Sequence, residues 1–186
     1  MTFLTIAEAR QAARSAGLTA SVAESVIRKS AALPINTAFD IFLSHSFHDA
    51  EVIAGVAQLI EQDGKTVYVD WRDDPQLDRS RVTPQTAQLL RQRMAHCAVL
   101  LYATSPNATS SKWMPWELGY FDGLRGAKIG ILPLLATSTQ TWIGQEYLGL
   151  YPLYEWINFQ GVGTRLGKYM TRTKDTGETL STSVRG

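Results

Sequence analysis

The chain has 186 residues, 45% of them hydrophobic and 19% charged, which fits one domain with an appendage around a real apolar core and argues against a multidomain protein. The formal net charge is +1, with the charged residues dispersed, so the basic stripe needed to hold duplex nucleic acid is missing and nucleic acid is not an expected partner. No apolar run approaches the roughly 18 residues of a membrane span, no basic-then-apolar leader opens the sequence, and the single cysteine, Cys97, excludes an internal disulfide and a cysteine-rich zinc site; the expectation is a cytoplasmic protein with no membrane partner and Cys97 as packing.

Thr5 with Glu8 and Ser21 with Glu24 have capping-box spacing ahead of alanine-rich stretches, which predicts two short N-terminal helices separated at Gly17. Leu33-Pro34-Ile35-Asn36 breaks that pattern. The expected units are therefore a helical extension over 1–35, a domain over 36–160 and a short helix with a polar tail over 161–186.

Phe39 to Ser44 reads as the first strand. Ser46 and Asp49 are spaced to open a helix whose apolar face carries Val52, Ile53, Val56, Leu59 and Ile60 and which stops at Gly64. Thr66 to Val69 is a second strand, followed by a polar loop over 70–83 in which Asp73-Asp74 reads as a solvated turn. Thr83-Pro84 opens another helix, because proline at the first helical position loses no useful hydrogen bond. That helix ends near His96, and Ala98 to Tyr102 is the third strand. A Ser/Thr/Asn loop, a helix containing Trp116 to Leu124, and a strand over Ile129 to Leu135 follow. Tyr151 to Tyr154 is a fifth strand suited to an edge, since Pro152 has no amide to donate. Strand alternating with helix predicts an α/β fold with a parallel sheet covered on both faces. The sequence past Phe159 offers one short helix over Thr164 to Tyr169, and the polar tail from Thr171 lacks the apolar residues of a core.

Three segments, in this order, resemble the Toll/interleukin-1 receptor (TIR) family. They are Phe39-Asp40-Ile41-Phe42-Leu43-Ser44-His45-Ser46 with Asp49 following, Val67-Tyr68-Val69-Asp70 leading into the long loop, and Trp113-Met114-Pro115-Trp116-Glu117-Leu118, similar to the family's Trp-x-x-x-Glu-Leu element. The strand end Ile131-Leu132-Pro133-Leu134 completes a match over about Phe39 to Phe159. The loop after Asp70 departs from the family by lacking its Pro-Gly pair. The resemblance implies a flavodoxin-like, five-stranded parallel sheet with ligands beyond the carboxyl ends of the strands. It also implies a standalone microbial protein of the NAD-consuming kind, acting in antiviral defence either by depleting NAD or by making a nucleotide signal for a separate effector.

Fold alone does not make an enzyme, so the chemistry rests on particular residues. Trp113 and Glu117, four apart on a helix, share a face and would offer a flat ring and a carboxylate to a nucleoside. Nicotinamide leaves NAD as a neutral molecule, so positive charge develops on the ribose, and a fixed carboxylate at Glu117 stabilises it by ~3 kcal/mol. Water attack would give ADP-ribose, and attack by an adenine nitrogen of the same molecule a cyclic isomer. Ser44, His45 and Ser46, beside amides at a helix start, are the candidates for the phosphates. Phe47 and Trp71 are candidate base platforms, Asp70 opens the loop beside them, and Arg79 and Arg81 are within the loop's reach of a phosphate. Trp116 reads as core. NAD is thus substrate rather than bound cofactor, and no metal is expected: His45, His48 and Asp49 lack a further ligand. Gly161-Val162-Gly163 lacks the third glycine of a dinucleotide fingerprint and reads as a loop, and Ser44 beside His45 has no nucleophile elbow around it.

Two other functions fit the same residues. One is a TIR module that assembles without catalysis, built through the N-terminal helices and the long loop. The other is a nucleoside-processing enzyme of similar layout with a glutamate near a ribose. Self-association is expected on either TIR reading, because the alanine-rich helices have an apolar face to bury.

Overall fold

The computed structural model describes residues 3–18, 33–75, 77, 83–126, 128–159 and 163–168. Strand β1 is only Leu4–Thr5 and passes directly into helix α1, Ile6–Ser15. The capping box forms as its spacing predicts: Glu8 N donates to Thr5 Oγ1 at 3.1 Å, and Thr5 N donates to Glu8 Oε2 at 2.8 Å. Strand β2, Phe39–Ser44, leads through a 3-10 turn at Phe47–Asp49 into α2, Ala50–Gln62. Then come β3, Val67–Tyr68, a single helical turn α3, Asp70–Asp73, and α4, Pro84–Ala95, opened by Thr83, whose hydroxyl accepts from Thr86 N at 3.1 Å. Strand β4, Cys97–Thr104, helix α5, Trp113–Arg125, and β5, Ile129–Leu135, follow, and a hairpin of β6, Tyr154–Phe159, with β7, Gly163–Lys168, ends the described chain.

The main sheet has five parallel strands in the order β1-β5-β4-β2-β3. From β2 the chain moves outward to β3 and then returns to lay β4 on β2's other side. That reversal leaves a crevice at the carboxyl ends of β2 and β4, where open parallel sheets bind ligands. In register, Ser44 of β2 lies beside Tyr102 of β4.

Period-two alternation divides the strands between two cores. Ile41, Leu43, Leu101, Ala103, Leu132 and Leu134 face α1 and α2, packing with Ala9, Ala13, Val52, Ile53 and Val56. Phe42, Leu100, Tyr102, Ile129 and Ile131 face α4 and α5, packing with Leu90, Met94, Met114, Leu118 and Phe121. Helices thus cover both faces, as the strand-helix alternation predicts. Helix α1 crosses α2 so closely that a Cβ on Gly55 would sit 1.8 Å from the carbonyl oxygen of Ala9.

Several expectations change. The fifth strand of the sheet is β1, and the segment near Tyr151 gives one parallel rung, Leu153 with Ile131, where Ile131 N donates to Pro152 O at 2.9 Å, before β6 turns into the hairpin. Residues 163–168 form β7, antiparallel to β6, instead of a helix, because a partner strand supplies their hydrogen bonds. Ser46 and Asp49 make no side-chain cap at the start of α2; Asp49 is turned toward the loop after β4. Asp73 and Asp74 are buried, not a solvated turn, for Asp73 accepts from Val69 N at 2.7 Å and Asp74 is gripped by Arg93. The apolar face of α1 is spent on α2. The second N-terminal helix, residues 161–162, and the tail from Thr171 lie outside the described residues. No described helix is long and apolar enough to cross a membrane.

Candidate functional site

Glu117 sits one turn into α5 and is fully buried. Its helix begins at Trp113, and Pro115 falls in the first turn, where its missing N–H would have had no intrahelical partner. Ser111 Oγ accepts from Met114 N at 3.3 Å and helps start the helix. This places the Glu117 carboxylate under the crevice between β2 and β4, where Ser44 Oγ donates to its Oε2 at 2.6 Å. Two motif residues, 73 positions apart in sequence, meet at the point where strand order reverses.

Tyr102 belongs to the same cluster. Its hydroxyl is buried without an aligned hydrogen bond, and burial first, then the Tyr147 hydroxyl and the Glu117 charge, push its pKa up. Tyr102 lies beside Ser44 in register, and Ser44 holds Glu117. From Tyr102 a cavity of about 390 Å³ opens toward the loop over 136–150 and is lined by Thr104, Ser105, Trp142, Gln145 and Leu148 among others. Sequence reasoning passed over Tyr102, which lies in an apolar run like any strand residue, and Trp142, whose loop carries no motif.

The other candidates take up several positions. His45 is buried with Nδ1 2.8 Å from Leu43 O and Nε2 3.3 Å from Asp70 Oδ1. The Leu43 carbonyl holds one ring nitrogen, and the Asp70 carboxylate beside the other brings the start of the long loop next to the end of β2. Asp70 thereby acts on His45. Ser46 is buried at the head of the 3-10 turn. Phe47 stands 65% exposed at the mouth. Trp71 belongs to the core facing α1 and α2, away from Glu117, so it offers no ring platform in this conformation. Trp113 is 7% exposed and packs edge-on against Trp116, ring centroids 5.4 Å apart. It borders Glu117 as a wall and shows almost no face to a ligand. Trp116, read as core, is half-buried, stacks on Tyr120 and lies under the Arg91 guanidinium. Arg79 and Arg81 lie outside the described residues.

Two buried polar clusters hold the loops around the site. Asp49 accepts from Ser105 Oγ at 2.5 Å and from Asn107 Nδ2 at 2.7 Å, joining the turn after β2 to the loop after β4. Arg93 makes a bidentate pair with Asp74, both bonds 2.7 Å, and its remaining donors reach the carbonyls of Pro34 at 2.7 Å and Leu33 at 2.8 Å. Tyr68 adds a 2.8 Å hydrogen bond to Asp74. The long loop is thereby clamped at its start to α4. Among the described residues no three His, Cys, Asp or Glu side chains gather as metal ligands.

A family model described as TIR domain matches residues 41–166. The chain is similar to the "Probable 3' cyclic ADP-D-ribose synthase ThsB'" of Bacillus cereus (strain MSX-D12), with 56% identity over 118 residues that make up 63% of this chain and 61% of the relative. It is also similar to the "Putative cyclic ADP-D-ribose synthase TIR2" of Cytobacillus dafuensis, with 29% identity over 83 residues, 44% of this chain and 22% of the relative. The matched stretches thus span less than two thirds of either relative's length.

Proposed function

Since the chain belongs to the TIR domain family, we propose that it is an enzyme that breaks the nicotinamide-ribose bond of NAD and closes the remaining ADP-ribose into a cyclic isomer, with Glu117 as the catalytic carboxylate. What supports the reading is the buried Glu117 carboxylate, held by Ser44 at the crevice where the strand order reverses. As the bond to nicotinamide lengthens, its electron pair goes to the leaving ring nitrogen and positive charge spreads over the ribose. A fixed anion in a low-dielectric crevice stabilises that charge, and nicotinamide departs neutral without needing a proton.

Cyclisation is favoured over hydrolysis by the similarity to a relative whose name specifies a 3′ cyclic product. Primed positions belong to sugars, so ring closure of that kind would run through a ribose oxygen rather than an adenine nitrogen. The attacking hydroxyl loses its proton to solvent or to a carboxylate, and the new C–O bond replaces the C–N bond. Such a product suits a signal read by a separate effector in antiviral defence.

Glu117 is closed to solvent in the lone chain, so substrate entry requires the crevice to open. We assign that opening to self-association, for which exposed Phe47 at the mouth offers apolar surface. Specific activity should rise with protein concentration in step with oligomer seen by light scattering. Constant specific activity of a monomer removes this part of the reading.

Glu117→Gln tests the chemistry. It keeps the shape of the side chain and removes its charge, so turnover of NAD should fall by roughly 10²-fold or more, with the melting temperature near parental. Parental turnover in a normally folded variant overturns the catalytic assignment and leaves the assembly module as the better account.

A further inference from the structure

Where β2 ends, its pairing with β3 has already run out. Ile41 N donates to Thr66 O at 3.0 Å and Ile41 pairs with Val67, so the same register would set Leu43 opposite Val69, one residue beyond the end of β3. His45 Nδ1 meets the Leu43 carbonyl there at 2.8 Å. A carbonyl oxygen can only accept, so Nδ1 carries the proton. This local bond closes a loop of atoms from the Leu43 carbonyl through the His45 side chain, and both backbone torsions of Ser44 lie inside that loop. Ser44 is the last residue of β2 and follows Phe42 onto the face covered by α4 and α5, where its hydroxyl donates to Glu117 Oε2 at 2.6 Å. A turn of the Ser44 backbone would carry the hydroxyl away from Glu117.

Resting on the NAD reading above, we infer that His45 is a positioning residue: its Nδ1–H, held on the Leu43 carbonyl, locks Ser44 and so keeps the Glu117 carboxylate in place for the ribose charge. This role replaces that of a phosphate ligand. Both ring nitrogens are turned to protein oxygens, with Nε2 3.3 Å from Asp70 Oδ1 and both side chains 1% exposed. A phosphate oxygen brought to Nε2 would compete with Asp70 for the same nitrogen.

The test compares His45→Ala, His45→Asn, His45→Gln, Ser44→Ala and the double variant His45→Ala with Ser44→Ala in the full chain, by NAD turnover and by urea unfolding. An asparagine amide nitrogen stands as many bonds from Cα as Nδ1 of histidine, and a glutamine amide nitrogen as many as Nε2. His45→Ala and His45→Gln should lower kcat about 10-fold or more with KM near parental, whereas His45→Asn, which still reaches the Leu43 carbonyl, should stay within about 3-fold of the parental kcat. Because His45 acts through Ser44, the double variant should turn over NAD no more slowly than the slower single variant. Its loss in urea midpoint should be smaller than the two single losses added. A raised KM at unchanged kcat in His45→Ala, equal kcat in His45→Asn and His45→Gln, or kcat losses that multiply in the double variant overturns the inference. Should His45→Ala fail to fold, the comparison of His45→Asn with His45→Gln decides. The urea measurement needs no activity, so the two readings fail separately. Coupled midpoints in a protein that leaves NAD intact keep the role of His45 toward Ser44 and remove the enzyme reading, whereas additive midpoints in a protein whose turnover depends on Glu117 remove the role of His45 alone.

Discussion

Glu117 and Ser44 form a pair whose value lies in the precision it gives a carboxylate. Removing the Ser44 hydroxyl leaves a buried acceptor with one donor fewer, which costs about 1–3 kcal/mol. Ser44→Ala is therefore expected to lower the denaturant midpoint and to reduce kcat for NAD with KM near parental, the signature of a positioning residue; a raised KM at unchanged kcat would instead place Ser44 on the substrate. Trp113 has a different expectation from the one its spacing invites. Enclosed at 7% exposure against Trp116, it should behave as a core residue, so Trp113→Ala loses about 3–5 kcal/mol in urea unfolding. A normally stable Trp113→Ala protein with weakened NAD binding would restore it as a platform. Sequence motifs brought Ser44 and Glu117 into view together because both lie in family segments, while Tyr102 and Trp142 emerge from the register of β4 and the course of a loop, neither of which a single sequence displays.

Elements whose signals are local were legible. Thr5 with Glu8, and Thr83 with Pro84, start helices because cap and helix are the same few residues. The Arg93 clamp was invisible for the opposite reason: Asp74 looks like half of a solvated pair until Arg93, 19 residues on, and two carbonyls about 60 residues back are brought to one place. Breaking the clamp from one side strands a buried charge. Arg93→Met is expected to cost about 3–5 kcal/mol in urea unfolding, and adding Asp74→Leu to it should recover part of the loss, because the pair then disappears from both sides. No recovery in the double variant would mean that the carbonyl contacts of Arg93, rather than its ion pair, hold the loop. At the α1–α2 crossing, Gly55→Ala drives a methyl group into the backbone of Ala9, and the helices must separate. The expected result is a lower melting temperature, with the capping box of α1 still formed.

Across the whole molecule, the alternation of apolar strands and helical faces made the parallel sheet legible, and with it the crevice at its carboxyl end. It did not reveal β1, since two residues carry no period. The thiol of Cys97, at the first position of β4, is pushed by burial up to about 12 from an ordinary 9.0. The folded-state value is the higher one, so this thiol leaves stability untouched below pH 9 and lowers it as pH rises from about 9 to about 12, where unfolded chains ionise and folded chains do not. Alkylation of Cys97 at neutral pH should then follow the rate of unfolding and stop when unfolding is suppressed. Rapid alkylation under native conditions would show that the β4 end of the core opens locally.

One edge of the sheet is assembled from pieces far apart in the chain: Leu4 and Thr5 lie on Leu134 and Leu135, and Leu153 lies on Ile131 further down the same strand. During synthesis, Leu4 therefore emerges long before the strand that will hold it. Helix α1 can dock on α2 in the meantime, and the close Gly55–Ala9 contact keeps β1 parked beside an unfinished sheet. The last gap to close is then a matter of arrival order, with the earliest described strand waiting for β5, and a chain stalled before Ile129 would carry an open β4 edge ready to pair with whatever strand it meets.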